Sequence, residues 1–168
     1  MTADAADEPF ELTAEPDSPE LREFLDEGIN EYNRQVTGIR SFVRFGYAAR
    51  DASGRIVGGI HGWMWGEWYY VQSLYLEPGA RRRGLGRRLM DVAEREAIRL
   101  GARYAYLETR TFQARPLYES LGFRVTGEIE GYPAGETYFL MRKDLAGEGA
   151  AAGAGTLGSG KPSYTSPP

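Results

Sequence analysis

The sequence contains no cysteine, a single histidine and no long apolar run. Without cysteine, disulfides, thiolate metal sites and cysteine nucleophiles are all excluded. A histidine-based metal centre needs several ligands, and His61 stands alone, so we expect no metal. No apolar run approaches the roughly 18 residues of a membrane span, and no charged-then-apolar leader precedes the first elements. We therefore expect a cytoplasmic protein without a membrane partner.

The charges are distributed unevenly along the 168 residues, which suffice for one domain with a proper core. The net charge is −4, but residues 1–27 hold ten acidic side chains and one basic one. The remainder holds fourteen acidic and nineteen basic side chains, so the folded body is mildly cationic. Mild positive charge suits a phosphorylated ligand, whereas a nucleic-acid partner, which we do not expect, needs a clustered basic face.

Composition and hydrophobic period divide the chain into three parts. Residues 1–9 are acidic and are predicted to be flexible, and residues 146–168 are rich in Ala, Gly, Ser and Pro and are predicted to be a disordered tail. Between them, residues 10–145 predict a mixed α/β domain. The expected strands are residues 10–13, 42–47, 55–61, 68–76, 104–107, 123–129 and 137–141, and the expected helices begin at Pro19, Leu85 and Ala114.

Residues 74–89 are the most informative segment of the chain. An apolar strand containing Leu74 runs into a proline–glycine turn, three arginines follow, and Gly84-Leu85-Gly86 opens an amphipathic helix. Such a junction directs free main-chain N–H groups and the positive end of a helix dipole at one point. A glycine–x–glycine match alone is weak, but its position after a strand and at a helix start predicts a polyphosphate site.

A second segment, residues 114–123, contains Tyr118 and ends at Gly122 and Phe123. Alone it reads as an ordinary short helix with its aromatic residues in the core. It lies about thirty residues after the glycine loop, across one helix and one strand.

With both segments, residues 10–145 resemble the GNAT superfamily of acyltransferases, and most closely in residues 74–89 and 107–123. The resemblance implies a mostly antiparallel, mixed central sheet of six to seven strands flanked by helices. The sheet would be splayed between its fourth and fifth strands, here about residues 68–76 and 103–108. Residues 127–137 further resemble a subgroup of small bacterial members.

The resemblance implies acetyl-CoA as cosubstrate and assigns residues to it. The strand end would pair with the pantetheine arm, the loop amides would hold the pyrophosphate, and the Tyr118 phenol would face the CoA sulfur and protonate the thiolate. A main-chain N–H near Leu76 would stabilise the oxyanion. The implied cofactor-binding residues are Leu74, Tyr75, Leu76, Arg81, Arg82, Arg83, Gly84, Leu85, Gly86, Arg87, Thr111 and Tyr118.

The chain departs from the family pattern at three positions. Thr111 stands where asparagine is common, and Tyr70 and Tyr106 stand where carboxylate bases are frequent. An amine acceptor, with a pKa of about 10.4 in water, must lose a proton. Glu108 is the remaining nearby carboxylate, and it is either the base that accepts this proton or a surface acid. A water chain past Tyr70 or Gln72 is a comparable alternative route for the proton.

An aromatic-rich hairpin predicts the acceptor side of the site. Trp63 and Trp65 fall on one face of their strand and Met64 on the other, so part of this aromatic surface is expected to border the cleft. Such a wall favours an amphipathic or cationic molecule. The predicted acceptor-binding residues are Trp63, Trp65, Tyr70 and Tyr132.

These observations predict an N-acetyltransferase that acetylates a primary amine of a small molecule or peptide by direct attack in a ternary complex. No cysteine is present for an acyl-enzyme. The alternatives are a non-catalytic acyl-CoA-binding module and, with less support, a nucleic-acid-binding protein. Antibiotics, polyamines, amino acids, peptide termini and protein lysines stay open as acceptors, as does a homodimer.

Overall fold

A computed structural model describes residues 10–145, so the two segments predicted to be flexible, 1–9 and 146–168, lie outside the described residues. The described chain divides between Arg40 and Ser41 into two units. None of the helices within residues 10–145 is long and apolar enough to cross a membrane.

The first unit contains helix α1, Pro19–Thr37. It begins at Pro19 as predicted, and the Ser18 hydroxyl caps it by accepting a hydrogen bond from Leu21 N at 3.1 Å. Gly38 ends the helix in a left-handed conformation with φ 71°. The strand predicted for residues 10–13 is wrong: a strand needs a neighbouring strand to satisfy its main chain, and this segment has none in the described residues.

The second unit is a six-stranded sheet with two helices. Its strands lie in the order β1-β2-β3-β4-β6-β5, with β3 and β4 parallel and all other neighbours antiparallel. This confirms the predicted fold class. The elements are β1 Phe42–Arg50, β2 Ile56–Trp65, β3 Trp68–Leu76, α2 Leu85–Arg99, β4 Tyr104–Arg110, α3 Arg115–Ser120, β5 Arg124–Glu130 and β6 Thr137–Asp144.

Helix α2 packs against one face of the sheet and contacts β1, β2 and β3. Its buried side chains follow helical spacing, and the sheet residues below them alternate in and out, as half-buried strands do. The buried core of this face includes Met64, Tyr69, Val71, Leu89, Met90, Ala93, Ala97, Ala105, Leu107 and Met141.

One acidic residue of α2 is buried. Glu94 is only 9% exposed. Lys143 of β6 reaches it, with Nζ 2.5 Å from Oε2, and this ion pair makes the burial of the carboxylate tolerable. Burial nevertheless raises the pKa of Glu94, against the opposing effect of Lys143.

Candidate active site

The loop between β3 and α2 turns through two residues of left-handed conformation. Arg82 has φ 57° and Gly84 has φ 73°. Positive φ strains a residue that carries a Cβ, so Gly84 fits its position and Arg82 holds strain there. No atom lies within 4 Å of an ideal Cβ on Gly84. The requirement for glycine is therefore conformational, and the space in front of it is open.

The loop leaves a series of main-chain donors unused. Within residues 10–145, the N–H groups of residues 82–87 form no hydrogen bond, and Arg88 is the first to donate into the helix, to Gly84 O at 3.1 Å. A helix start of this kind carries partial positive charge and free donors that point the same way. The arrangement suits an anion with several oxygens.

The two segments singled out in the sequence meet in space. Gly86 is buried, and a Cβ there would lie 3.4 Å from Leu117 Cδ2 and 3.7 Å from Leu76 Cδ1. The Arg87 guanidinium donates to Ser120 Oγ at 2.8 Å. The strand end, the loop and α3 therefore form one continuous surface.

The end of β3 presents main-chain groups away from β2. Glu77 N donates to Val57 O at 2.9 Å, so the alternation of an antiparallel ladder directs the main chain of Leu74 and Leu76 to the other side. Arg81 Nε donates to Leu76 O at 2.9 Å, which anchors this arginine to the open edge. Tyr75, which lies between Leu74 and Leu76, is exposed.

Strands β3 and β4 stop pairing before either strand ends. The last pair is Val71 with Leu107, although β3 continues to Leu76 and β4 to Arg110. At this point the register of β3 against β2 shifts, which leaves Gln72 unpaired as a β-bulge. Gln72 and Glu108 are the first residues beyond the ladder on the two strands, and both are exposed.

Tyr118 lies in α3, next to the loop. It is 8% exposed, and its ring meets that of Phe123 edge-on at 6.1 Å between centroids. Its hydroxyl forms no hydrogen bond with any of residues 10–145. Burial raises the pKa of Tyr118, so the phenol stays protonated well above neutral pH.

An aromatic row crosses the sheet on the face opposite α2. Trp63, Tyr70 and Tyr106 stand directly opposite one another on β2, β3 and β4. Their ring centroids are 5.1 Å apart for Trp63 and Tyr70 and 4.7 Å for Tyr70 and Tyr106. Met64 is buried on the α2 side, as predicted from the strand alternation, and Trp65 lies beyond the row on β2.

Glu108 stands next to this row, among three phenols. Burial raises the pKa of Tyr70, and the negative charge of Glu108 adds to the rise. Burial also raises the pKa of Tyr106 and of Tyr138 to about 12, and Glu108 contributes in both cases. Each of these phenols is therefore held in its neutral, hydrogen-donating form beside a carboxylate.

Arg110, two residues after Glu108 on β4, contacts both Tyr138 of β6 and the loop between β5 and β6. Its guanidinium carbon lies 5.4 Å from the ring centroids of both Tyr132 and Tyr138. Those two rings meet edge-on at 5.8 Å. Tyr132, at 54% exposed, is thereby packed against Arg110 and Tyr138 although it lies in a loop.

The sequence model described as the acetyltransferase (GNAT) family matches residues 5–123. The chain is a GNAT acetyltransferase. It is 38% identical over 93 residues to blasticidin-S acetyltransferase from Streptomyces morookaense, and the matched region covers 55% of this chain and 68% of that protein. It is 30% identical over 94 residues to acetyltransferase Atu2258 from Agrobacterium fabrum strain C58, covering 56% and 69%. An acetyltransferase crystal structure from Bacillus cereus ATCC 14579 has the same fold, with a TM-score of 0.73, 23% identity and coverage of 79% and 97%.

In this GNAT enzyme the predicted site residues fall into two groups. Gly86 and Arg87 of the loop lie against α3, the helix that carries Tyr118. In the second group Tyr70 interacts with Glu108, Trp63 packs against Tyr70, and Tyr132 packs against Tyr138. Thr111 is engaged elsewhere: its hydroxyl donates to Thr137 O at 3.1 Å and accepts from Thr137 N at 2.7 Å. These bonds extend the β4–β6 ladder, and a cofactor contact by Thr111 stays a prediction.

Two residues of this site in the acetyltransferase were missed in the sequence, and the structural role of a third, Gln72, was not predicted. Arg110 and Tyr138 are cross-strand partners, and Gln72 forms the bulge. The pairing of β4 with β6 spans a helix and a strand, so no local pattern indicates that Arg110 faces Tyr138. A signal for Gln72 was present, because polar Gln72 and Ser73 interrupt the alternation of apolar residues along β3.

Proposed function

We propose that the enzyme transfers the acetyl group of acetyl-CoA to the primary amine of a small molecule or peptide, by direct attack in a ternary complex. The proposal rests on the positions of two groups at the open edge of β3. At one end lie the six main-chain N–H groups of residues 82–87, which form no hydrogen bond within residues 10–145. At the other end lies Glu108, where the β3–β4 ladder stops.

The cosubstrate would lie along the open edge of β3. The loop amides would bind the diphosphate, and the main chain of Leu74 and Leu76 would pair with the amide groups of the pantetheine arm. Because Arg81 already donates to Leu76 O, the free groups of this edge are those of Leu74 and the N–H of Leu76. The arm would therefore bind through fewer main-chain bonds than the bare strand offers.

Glu108 is the base in this proposal. It is the carboxylate that lies past the last β3–β4 pair, beside the aromatic row. It would accept a proton from the ammonium form of the acceptor, directly or through one water, while the neutral phenols of Tyr70 and Tyr138 steady its carboxylate. The bound amine then attacks the thioester carbonyl, so an N–C bond forms and the C–S bond breaks.

Tyr118 is the acid. Its buried phenol stays protonated, and its hydroxyl has no partner within residues 10–145, so it can donate a proton to the departing CoA thiolate. The Leu76 N–H on the open edge would stabilise the negative charge that develops on the thioester oxygen.

A small-molecule acceptor has some support from relatives as well as from the site. The Streptomyces relative is named for blasticidin S, and the row of Trp63, Tyr70 and Tyr106 offers an aromatic surface beside a carboxylate. Cationic amines bind well to aromatic surfaces. We therefore place a small amine ahead of a protein lysine as acceptor.

The test follows CoA thiol release over a panel of amines, with blasticidin S included. We expect release with at least one amine, and Glu108→Gln should lower kcat by about 100-fold or more while CoA affinity is kept, in line with the size of general-base effects. Glu128→Gln, an exposed acid on β5, is the matched control. CoA binding without thiol release from any amine would contradict the proposal, and an unchanged kcat in Glu108→Gln would remove Glu108 as base.

A further inference from the structure

Arg110 and Glu108 are held apart although they are neighbours on one face of β4. Two residues along a strand are separated by about 6.6 Å, a distance that long side chains can bridge. Yet within residues 10–145 no carboxylate oxygen lies within 4.0 Å of the Arg110 guanidinium, whereas Arg142 and Arg115 do have acidic partners. The guanidinium packs on the Tyr132 and Tyr138 rings instead.

Tyr138 stands between the two charges. It is the cross-strand partner of Arg110, and the Thr111–Thr137 hydrogen bonds fix the ladder immediately beyond it. Glu108 raises the pKa of its phenol and Arg110 lowers it, so both charges act on the same hydroxyl. The result is a surface on which a negative group and a positive group both lie near one phenol.

We propose that Glu108 and Arg110 together select a zwitterionic acceptor, an amine whose carboxylate lies within a few bonds, as in an amino acid. The amine would lie at Glu108 and the carboxylate at Arg110. This inference rests on the proposed function and narrows its acceptor class.

Charge complementarity distinguishes this acceptor from the others left open. A polyamine would place a second ammonium against Arg110, where like charges repel. A protein lysine or a peptide N-terminus has no free α-carboxylate close to its amine. An amino acid satisfies both groups and leaves its side chain for the row of Trp63, Tyr70 and Tyr106.

The experiment compares acetylation of amino acids with that of the same amines without the carboxylate: phenylalanine against 2-phenylethylamine, arginine against agmatine, and lysine against cadaverine. For at least one pair, we expect kcat/KM to be about 10- to 100-fold higher for the amino acid, as expected for one charge-assisted interaction. Arg110→Gln should reduce that ratio to near unity, and Arg110→Lys should retain part of it. Arg99→Gln, an exposed arginine on α2, is the control and should leave the ratio unchanged.

The outcomes separate this inference from the proposed function. Thiol release with amines but no preference for the carboxylated member overturns the zwitterion inference alone. A preference that survives in Arg110→Gln does the same, because it assigns the carboxylate to another residue. Absence of thiol release with every amine in both panels overturns the inference and the proposed function together.

Discussion

Placing a negative charge in the β3–α2 loop should weaken CoA binding by at least as much as it weakens the fold. Any side chain at Gly84 must adopt φ near 73°, which costs about 1–2 kcal/mol. The added Cβ meets no atom within 4 Å, so no steric penalty is expected in the free protein. A separation of about 4 Å between the carboxylate of Gly84→Glu and a diphosphate bound to the loop amides is taken as the scale of the repulsion.

The magnitude follows from Coulomb's law. Two unit charges at about 4 Å repel by about 1 kcal/mol in water and more near a protein surface. Two phosphate charges therefore cost at least about 2 kcal/mol, or about 30-fold in the Kd for CoA. Gly84→Gln carries the same backbone strain without the charge, so the ratio of its Kd to that of Gly84→Glu isolates the electrostatic effect.

Gly101 provides a matched control at the other end of α2. It has φ 98°, and an ideal Cβ there also meets no atom within 4 Å. Titration calorimetry with CoA should show near-native affinity for Gly101→Glu, while thermal unfolding should show similar destabilisation of both glutamate variants. If Gly84→Glu bound CoA within three-fold of Gly84→Gln, the diphosphate would not lie at these amides.

Two further predictions concern the acid and the buried ion pair. Tyr118→Phe should lower kcat by about 100-fold with little change in CoA affinity, because the phenol acts on the leaving thiolate; equal turnover in a thiol-release assay would exclude it as the acid. For Glu94, burial raises the pKa above the ordinary value of 4.5, so just above pH 4.5 the folded protein binds more protons than the unfolded chain. The unfolding free energy of the wild type should therefore fall as pH rises through this range relative to that of Glu94→Gln, and parallel melting curves across pH would contradict the assignment.

The parts of the fold that depend on neighbouring residues could be predicted from the sequence. The cap at Ser18 with Pro19, the glycine loop and the start of α2 each follow from a few adjacent side chains, and the structure has all three. The features that could not be predicted depend on residues far apart in the sequence. Residues 10–13 have strand-like alternation but no strand to pair with in the part of the chain that the structure describes. Glu94 resembles a surface acid in the sequence, and only the sheet brings Lys143 to it.

The site divides in the same way. Residues 74–89 predict an anion site because the conformation of the loop depends only on adjacent residues. The donors of the predicted site are main-chain N–H groups, which do not depend on side-chain identity. The proposed acceptor side combines residues of β2, β3, β4, β6 and a loop, so which residues belong to it depends on the strand order. The sequence does not indicate that Arg110 belongs to the proposed site, because its partner Tyr138 lies on β6. The two residues pair because β6 lies between β4 and β5 in the sheet.

The bend of β3 is the feature on which both sides of the site depend, and the sequence encodes it. Tyr69 and Val71 point toward the core at odd positions, whereas Leu74 and Leu76 pack against it at even positions. Because side chains alternate strictly along a strand, the change requires one extra residue, which is Gln72 at the bulge. Bulges bend the strand that carries them, and this one coincides with the end of the β3–β4 ladder.

Removal of Gln72 should therefore restore regular alternation, with Leu74 and Leu76 still directed at the core. The shortened β3 could then continue to pair with β4 past Leu107, which would close the edge that the proposal gives to CoA. We expect a folded protein, by circular dichroism and cooperative melting, that has lost CoA binding in calorimetry. Gln72→Ser keeps the residue count and serves as control, with near-native affinity expected. If the deletion variant bound CoA as the wild type does, the open edge would not arise from the bulge, and another cause for the separation of the two strands would be needed.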